Sequence, residues 1–161
     1  AVNREPVTAE GLKGLHDTLS DAMDSIRKSV HDLHDESIDL YAQIGNIIRE
    51  FTFCPVRLEY DAEGEMGRGL KYTLLSIIRE ALANIARHSS ATQAAITLRE
   101  HPALYQLIIQ DNGGGAANTG GRGIGLQNMY DRVAAYNGNL NIDGKNGFKI
   151  FISIPKGERT A

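Results

Sequence analysis

Near the N-terminus apolar residues recur at helical spacing. Leu12, Leu15, Leu19, Ala22, Ile26 and Leu33 fall three and four positions apart, or at the sum of the two, and Met23 and Val30 widen the stripe by one position. The pattern predicts a helix from Thr8 or Ala9 to His34, about three and a half heptads long, carrying the a/d/e face of a bundle helix. One helix cannot bury such a stripe, so a partner helix is expected from elsewhere. Residues 1–8 carry no apolar period and are expected to fray. "DESIDL" breaks the phase, with Ser37 as the expected N-cap of a shorter helix that turns Leu40, Ile44, Ile47 and Ile48 inward.

The period then changes. "PVRLEYD" from Pro55 alternates apolar and polar residues, as a half-buried strand does, and "AEGEMGRG" is loop sequence. Leu70, Leu74, Leu75, Ile77, Ile78, Ala81, Leu82 and Ile85 mark a strongly amphipathic helix from Leu70 to about His88. "QAAITLREH" and "LYQLIIQD" read as strands joined by a hairpin at Pro102. A glycine-rich loop runs from Asn112 to Gly125, followed by a helix near Leu126–Tyr136, a turn at Asn137–Gly138, and the strands "LNIDG" and "FKIFISIP". Short turns between neighbouring strands require at least part of the sheet to be antiparallel. The class predicted is α+β, a two-layer sandwich preceded by a long helix.

Composition narrows the function classes. A chain of 161 residues buries one good core plus an appendage. A formal net charge of −3 and the lack of any Lys/Arg run argue against a general nucleic-acid binder. The longest apolar runs are too short for a membrane span, so no membrane contact is expected of this piece. A single cysteine, Cys54, cannot close an intramolecular disulfide, which suits a reducing compartment, and its setting in "FTFC" makes it a core residue rather than a reactive thiol. The chain opens without Met in the middle of polar sequence, and is expected to be part of a longer protein.

Three stretches carry candidate chemistry: "REALANIARH" (79–88), "DNGGG" (111–115) and "GRGIGLQNM" (121–129). Singly, each has a plain explanation: an exposed Asn on a helix, a turn, a linker. Together they describe a site. A glycine-rich loop entering a helix offers unpaired backbone N–H groups to phosphate, and Gly123 and Gly125 let the backbone approach without a Cβ in the way. Asp111, ending an apolar strand, can accept a hydrogen bond from an amino group such as that of adenine, with Gly113 and Gly115 leaving room for a flat ring. Glu80 and Asn84 stand four residues apart on one helix face, where hard oxygens suit Mg²⁺ and its waters. Arg87 and His88, one turn further on, can reach phosphate oxygens.

In this order the three stretches resemble the N, G1 and G2 boxes of the histidine-kinase ATP-binding domain. That domain belongs to the Bergerat ATPase superfamily, shared with gyrase-type, mismatch-repair and heat-shock chaperone ATPases. "REALANIARHSSA" is similar to the N box of NarX/DesK-like histidine kinases and "GRGIGLQNMYDRVAAYNGNL" to their G2 box, and the likeness covers roughly residues 38–156. The resemblance implies a mixed sheet with helices on one face. It implies Asn84 as the Mg²⁺ ligand, Glu80 and Asn84 as the catalytic pair, and Asp111 as the partner of the adenine amino group. It further implies Gly113 and Gly115 at the ring, Arg87, His88, Gly121, Gly123, Gly125 and Leu126 along the rest of the nucleotide, and residues 116–122 as the ATP lid. One departure is visible: where many members carry Gly-Thr before the last strand, this chain has Gly147–Phe148.

On the same resemblance, residues 1–36 correspond to the second helix of a dimerisation and histidine-phosphotransfer hairpin, and residues 37–157 to the ATP-binding domain. "HDLHDESIDL" holds two His-Asp pairs, His31–Asp32 and His34–Asp35, that look like phosphoacceptor sites. A phosphoacceptor sits on the first helix of the hairpin, so a returning helix of comparable length must follow it. Between His34 and Val56 there are 21 residues, part of them already committed to the short helix, which leaves no length for that return. On the heptad phase His31 falls at f and His34 at b. A metal site at "HDLHD" would have at most two imidazoles, so a solvated helix end is expected. The function implied is transfer of the γ-phosphoryl of Mg-ATP to a histidine upstream of this chain, for relay to a response-regulator aspartate. The full protein would be a homodimer, the fragment a cytoplasmic domain of a membrane-anchored sensor. The alternatives are an anti-sigma-factor-like serine kinase on the same fold and a non-catalytic dimerisation module.

Overall fold

The structure is a computed structural model describing residues 9–34, 38–113 and 124–157, the side chains of 9 and 27–34 excepted. It divides into two compact units, the boundary falling between Ile38 and Asp39. The first contains α1 (Ala9–His34), a single helix of 26 residues. Its stripe stands exposed: Leu12, Leu15, Leu19, Met23 and Ile26 each leave more than half of their surface in solvent. Ser37, Gly115, Gly121 and Gly123 lie outside the described residues, as do the side chains of His31 and His34.

The second unit begins with α2 (Leu40–Glu50). Its N-cap is Asp39 rather than the expected Ser37. The Asp39 carboxylate accepts the Ala42 N–H at 3.0 Å, which fixes the first turn one residue before Leu40. The apolar spacing had located the helix, but Asp and Ser are both good caps and only the register of the first turn separates them. Leu40, Ile44 and Ile47 are buried as the pattern requires, and Tyr41 meets Tyr60 edge-on at 5.3 Å.

A five-stranded sheet follows: β1 (Val56–Asp61), β2 (Ala94–Glu100), β3 (Leu104–Asp111), β4 (Asn139–Asp143) and β5 (Lys149–Pro155), in the order β1-β2-β3-β5-β4. β1 and β2 run parallel, joined by the crossover helix α3 (Arg68–His88); the other pairings are antiparallel. A second helix on that layer, α4 (Ile124–Ala134), precedes the β4–β5 hairpin. The sheet is therefore mixed. α4 starts and stops two residues earlier than its apolar pattern suggested, which places Gly125 in its first turn. Asn137, at φ 56°, takes the left-handed conformation of the turn that follows.

Registers align the inner face in rows. Leu58, Ile96, Ile109, Ile150 and Ile142 form one, and Tyr60, Leu98, Leu107, Ile152 and Leu140 the next. The buried residues of α2, α3 and α4 join these rows in one core, so the helices cover one face of the sheet. A third row, Val56, Ala94 and Asp111, has the same parity. Alternation along β3 therefore delivers Asp111 to the inner face, where it is, among the described residues, the buried charged one, at 7% exposure.

Candidate functional site

The described site residues fall in two groups, one around Asp111 where β3 and α3 end, the other where Glu80 of α3 meets the first turn of α4. Asp111 closes β3, and its N–H donates to the Phe148 carbonyl at 2.9 Å. Oδ1 of its carboxylate accepts from the Gly113 N–H at 2.7 Å and from the Ser89 hydroxyl at 3.1 Å. Ser89 is the C-cap of α3, and its Oγ in turn accepts the Ala91 N–H at 3.1 Å. Oδ2 is buried and, among the described residues, meets no donor. A buried carboxylate oxygen without a donor is costly unless a ligand supplies one. The Asp111 charge is felt nearby: burial pushes the Cys54 thiol up from its ordinary pKa, and the carboxylate adds to the shift. Cys54 is buried, as its apolar setting predicts.

Two neighbours hold this corner closed. The Asn112 side chain accepts from the Thr92 and Gln93 N–H groups at 2.9 and 3.0 Å and donates to Thr92 Oγ1 at 2.9 Å, tying the start of β2 to the end of β3. Gly113 has no room for a side chain: a Cβ there would crowd Ser89 Oγ and lie 2.9 Å from the Ala91 nitrogen. Gly147, at φ 92°, passes against the Asp111 carbonyl, which a Cβ would strike. Ser89 and Asn112 lie inside the quoted motif stretches, but periodicity and motif spacing gave neither of them, nor Gly147, a role in building the site. The Gly-Phe departure was the one trace of Gly147.

The second half of the site is polar and more open. Glu80 faces the first turn of α4, where a Cβ on Gly125 would meet the Glu80 carboxylate. Glycine at 125 thus makes room for a side chain of the protein, a reason the loop pattern alone did not give. Arg87 turns back along α3, its Nη2 3.7 Å from Glu80 Oε1 and its Nε 3.3 Å from the Ala83 carbonyl. Glu80 and Gly125 line a cavity of about 340 Å³ with Arg79, Asn128 and Arg132, which lie inside the quoted motif stretches without being named there as site residues. Asn84 is half-buried on α3, His88 is exposed at its end, and Leu126 is half-buried against the core.

These groups do not share one cavity. Asp111 borders a separate one of about 570 Å³ with Asn112, Arg57, Ala95 and Gln110, the last three forming a row that faces away from the helices. A larger cavity, about 870 Å³ around Tyr105, Tyr136 and Lys156, opens at the opposite end of the sheet and has no predicted site residue in its lining.

Residues 69–158 match the family of histidine kinase-, DNA gyrase B-, and HSP90-like ATPases. The sensor histidine kinase DesK of Bacillus subtilis is 27% identical over 156 residues, which is 94% of this chain and 42% of that protein. The sensor histidine kinase YvfT of the same organism is 25% identical over 146 residues, 89% of this chain and 39% of the relative. This chain therefore spans about two-fifths of the length of these curated relatives. Among solved structures, a blue-light activated histidine kinase of Erythrobacter litoralis EL346 has a TM-score of 0.66 at 17% identity, over 89% of this chain and 56% of that one. The ATP binding domain of PrrB from Mycobacterium tuberculosis has 0.61 at 19%, over 75% and 96%. At those identities the solved structures establish the shared fold. With the family matched across residues 69–158 and the mixed sheet with its covering helices in common, the chain belongs to the histidine kinase-, DNA gyrase B-, and HSP90-like ATPases, as an ATP-binding domain of the sensor histidine-kinase kind.

Proposed function

We propose that this chain binds Mg-ATP and, within a longer dimeric protein, presents the γ-phosphoryl to a histidine upstream of residue 1, for relay to an aspartate of a response regulator. The observation that carries the reading is Asp111: a buried carboxylate whose Oδ1 is filled by two protein donors while Oδ2 has none among the described residues. An adenine amino group is a donor of the right kind, and burial excludes the water that would compete with it. Gly113, with no Cβ, lets the turn close against Ser89 and Ala91 so that its N–H reaches Oδ1. Residues 1–36 are assigned to the hairpin's second helix, residues 37–157 to the catalytic domain, and the whole to the cytoplasmic side of a membrane-anchored sensor.

The polar half of the site suits the triphosphate. Asn84 and Glu80 offer an amide oxygen and a carboxylate one turn apart on α3. Among the described residues no cluster of three or more His, Cys, Asp or Glu side chains forms a cage for a metal. That donor set fits Mg²⁺, which takes one or two protein oxygens and completes its shell with phosphate and water. Bound there, the ion would neutralise charge on the phosphate oxygens. Arg87, 3.7 Å from Glu80, supplies a cation that swings from carboxylate to phosphate without leaving its turn of α3. In the transfer the bond from the γ-phosphorus to the bridging oxygen breaks, a bond to an imidazole nitrogen forms, and ADP departs. The residues named act by positioning and charge, which is most of what such a reaction requires. The serine-kinase alternative is less favoured, since DesK and YvfT are named as histidine kinases.

Titration calorimetry with Mg-ATP tests the site. Asn84→Ala is expected to weaken binding and to abolish its dependence on Mg²⁺, and Asp111→Asn to weaken it about tenfold or more. Undiminished affinity in both variants would overturn the assignment. The isolated chain is expected to bind ATP without labelling itself from γ-labelled ATP, whereas the full-length protein labels on histidine.

A further inference from the structure

We propose that Ser89 sets the base specificity of the site by fixing which edge of the nucleobase Asp111 can accept. The proposal rests on Asp111 as the base partner and goes beyond it to the residue that orients it. The Gly113 N–H can only donate, and it donates to Oδ1 at 2.7 Å. The Ser89 hydroxyl has its oxygen engaged by the Ala91 N–H at 3.1 Å, which directs its proton to the same Oδ1, also 3.1 Å away. Two donors thus converge on one oxygen, and the carboxylate is held with Oδ2 buried, without a donor among the described residues. Oδ2 is then an acceptor with a fixed direction. It matches a 6-amino purine and repels a 6-oxo purine.

The same pair dictates what an amide would do at this position. In Asp111→Asn the amide oxygen must take the Oδ1 place, because both donors point there. The amide NH₂ then occupies the Oδ2 place and presents a donor, the opposite polarity. Ser89 is a positioning residue in this scheme, acting through Asp111. As the C-cap of α3, at φ −109° and ψ 151°, it has extended backbone that threonine adopts readily. Ser89→Thr therefore keeps the hydroxyl, whereas Ser89→Ala removes it.

The test is calorimetric titration of the chain with ATP and with inosine triphosphate, which differ in the 6-amino and 6-oxo groups, for wild type, Ser89→Ala, Ser89→Thr and Asp111→Asn. Thermal melts of each variant confirm folding. Wild type is expected to prefer ATP at least tenfold. Ser89→Ala is expected to lose about three- to tenfold in ATP affinity with inosine triphosphate nearly unmoved, and Ser89→Thr to retain the wild-type ratio. Asp111→Asn is expected to bring the ratio to one or below, by gaining inosine triphosphate as it loses ATP. If Ser89→Ala weakens both nucleotides equally, the proposal is overturned while Asp111 remains the base partner; if Asp111→Asn loses both without a change in ratio, Asp111 does not read the 6-position and the proposal falls with that reading. If Asp111→Asn leaves ATP affinity unchanged, the reading of Asp111 fails and the proposal with it.

Discussion

At the scale of the residue, the site is built by side chains that work on one another before any nucleotide arrives. Ser89 and Gly113 direct Asp111, Gly125 gives way to Glu80, and Arg87 screens Glu80. Gly147 shows how little freedom is left. It combines a φ of 92° with a backbone that runs against the Asp111 carbonyl, so a side chain there meets both dihedral strain and a main-chain collision. Gly147→Ala is expected to cost about 1–3 kcal/mol of stability in denaturant titration and to weaken ATP binding as Asp111 shifts. A variant with wild-type stability and affinity would show that the approach is loose. Gly125→Ala makes a useful contrast, because there the obstructing group is the movable end of Glu80 rather than backbone.

At the scale of the element, each helix is specified twice, once by its apolar face and once by its ends. The faces of α2 and α3 were legible: Leu70, Leu74, Leu75, Ile77, Ile78, Ala81, Leu82 and Ile85, the inward set expected of α3, are all buried in it. The ends were not. α2 is capped by Asp39 instead of Ser37, α3 begins at Arg68 on an uncapped Gly67, and α4 is shifted toward its glycines. Caps are decided by single hydrogen bonds among several able residues, whereas a face is decided by many side chains at once. Asp39→Ala should therefore destabilise the second unit by about 1 kcal/mol in chemical denaturation, and Asp39→Asn by much less. Equal stability of Asp39→Ala and wild type would remove the cap from the account.

At the scale of the whole molecule, the end of the sheet opposite the site is clamped by charge. Glu100 accepts from Lys156 Nζ at 2.7 Å and from the Gly64 N–H at 2.8 Å, and Lys156 lies over the Tyr105 ring at 5.1 Å. The hydrogen bond from Lys156, then that from Gly64, holds the Glu100 carboxyl below its ordinary pKa of 4.5. A carboxylate lowered on folding stabilises the fold above its unfolded pKa, and that stabilisation is lost as pH falls through the lowered value. Wild type should thus be more stable than Glu100→Gln at neutral pH, with the difference shrinking below pH 4.5. Melting temperatures of the two proteins that run parallel from neutral to acid pH would exclude this clamp.

The order of helices and strands, the α+β class, the inward sets of α2 and α3 and the three glycine- and polar-rich motifs were all legible in the chain itself. Each is written in local spacing, which needs no knowledge of what lies across the core. The pairing of β1 with β2 in parallel, the convergence of Ser89 and Gly113 on Asp111, and the approach of Gly147 to the end of β3 were decided only in three dimensions. Apart from the local Gly113–Asp111 bond, they join residues 22 to 38 positions apart, brought together by strand register and by the turn of α3 over the sheet. So the sequence identified Asp111 as a group that could receive a base, but only the fold determined which of its two oxygens is free to do so. That follows because hydrogen-bond direction belongs to the packed neighbours and not to the residue.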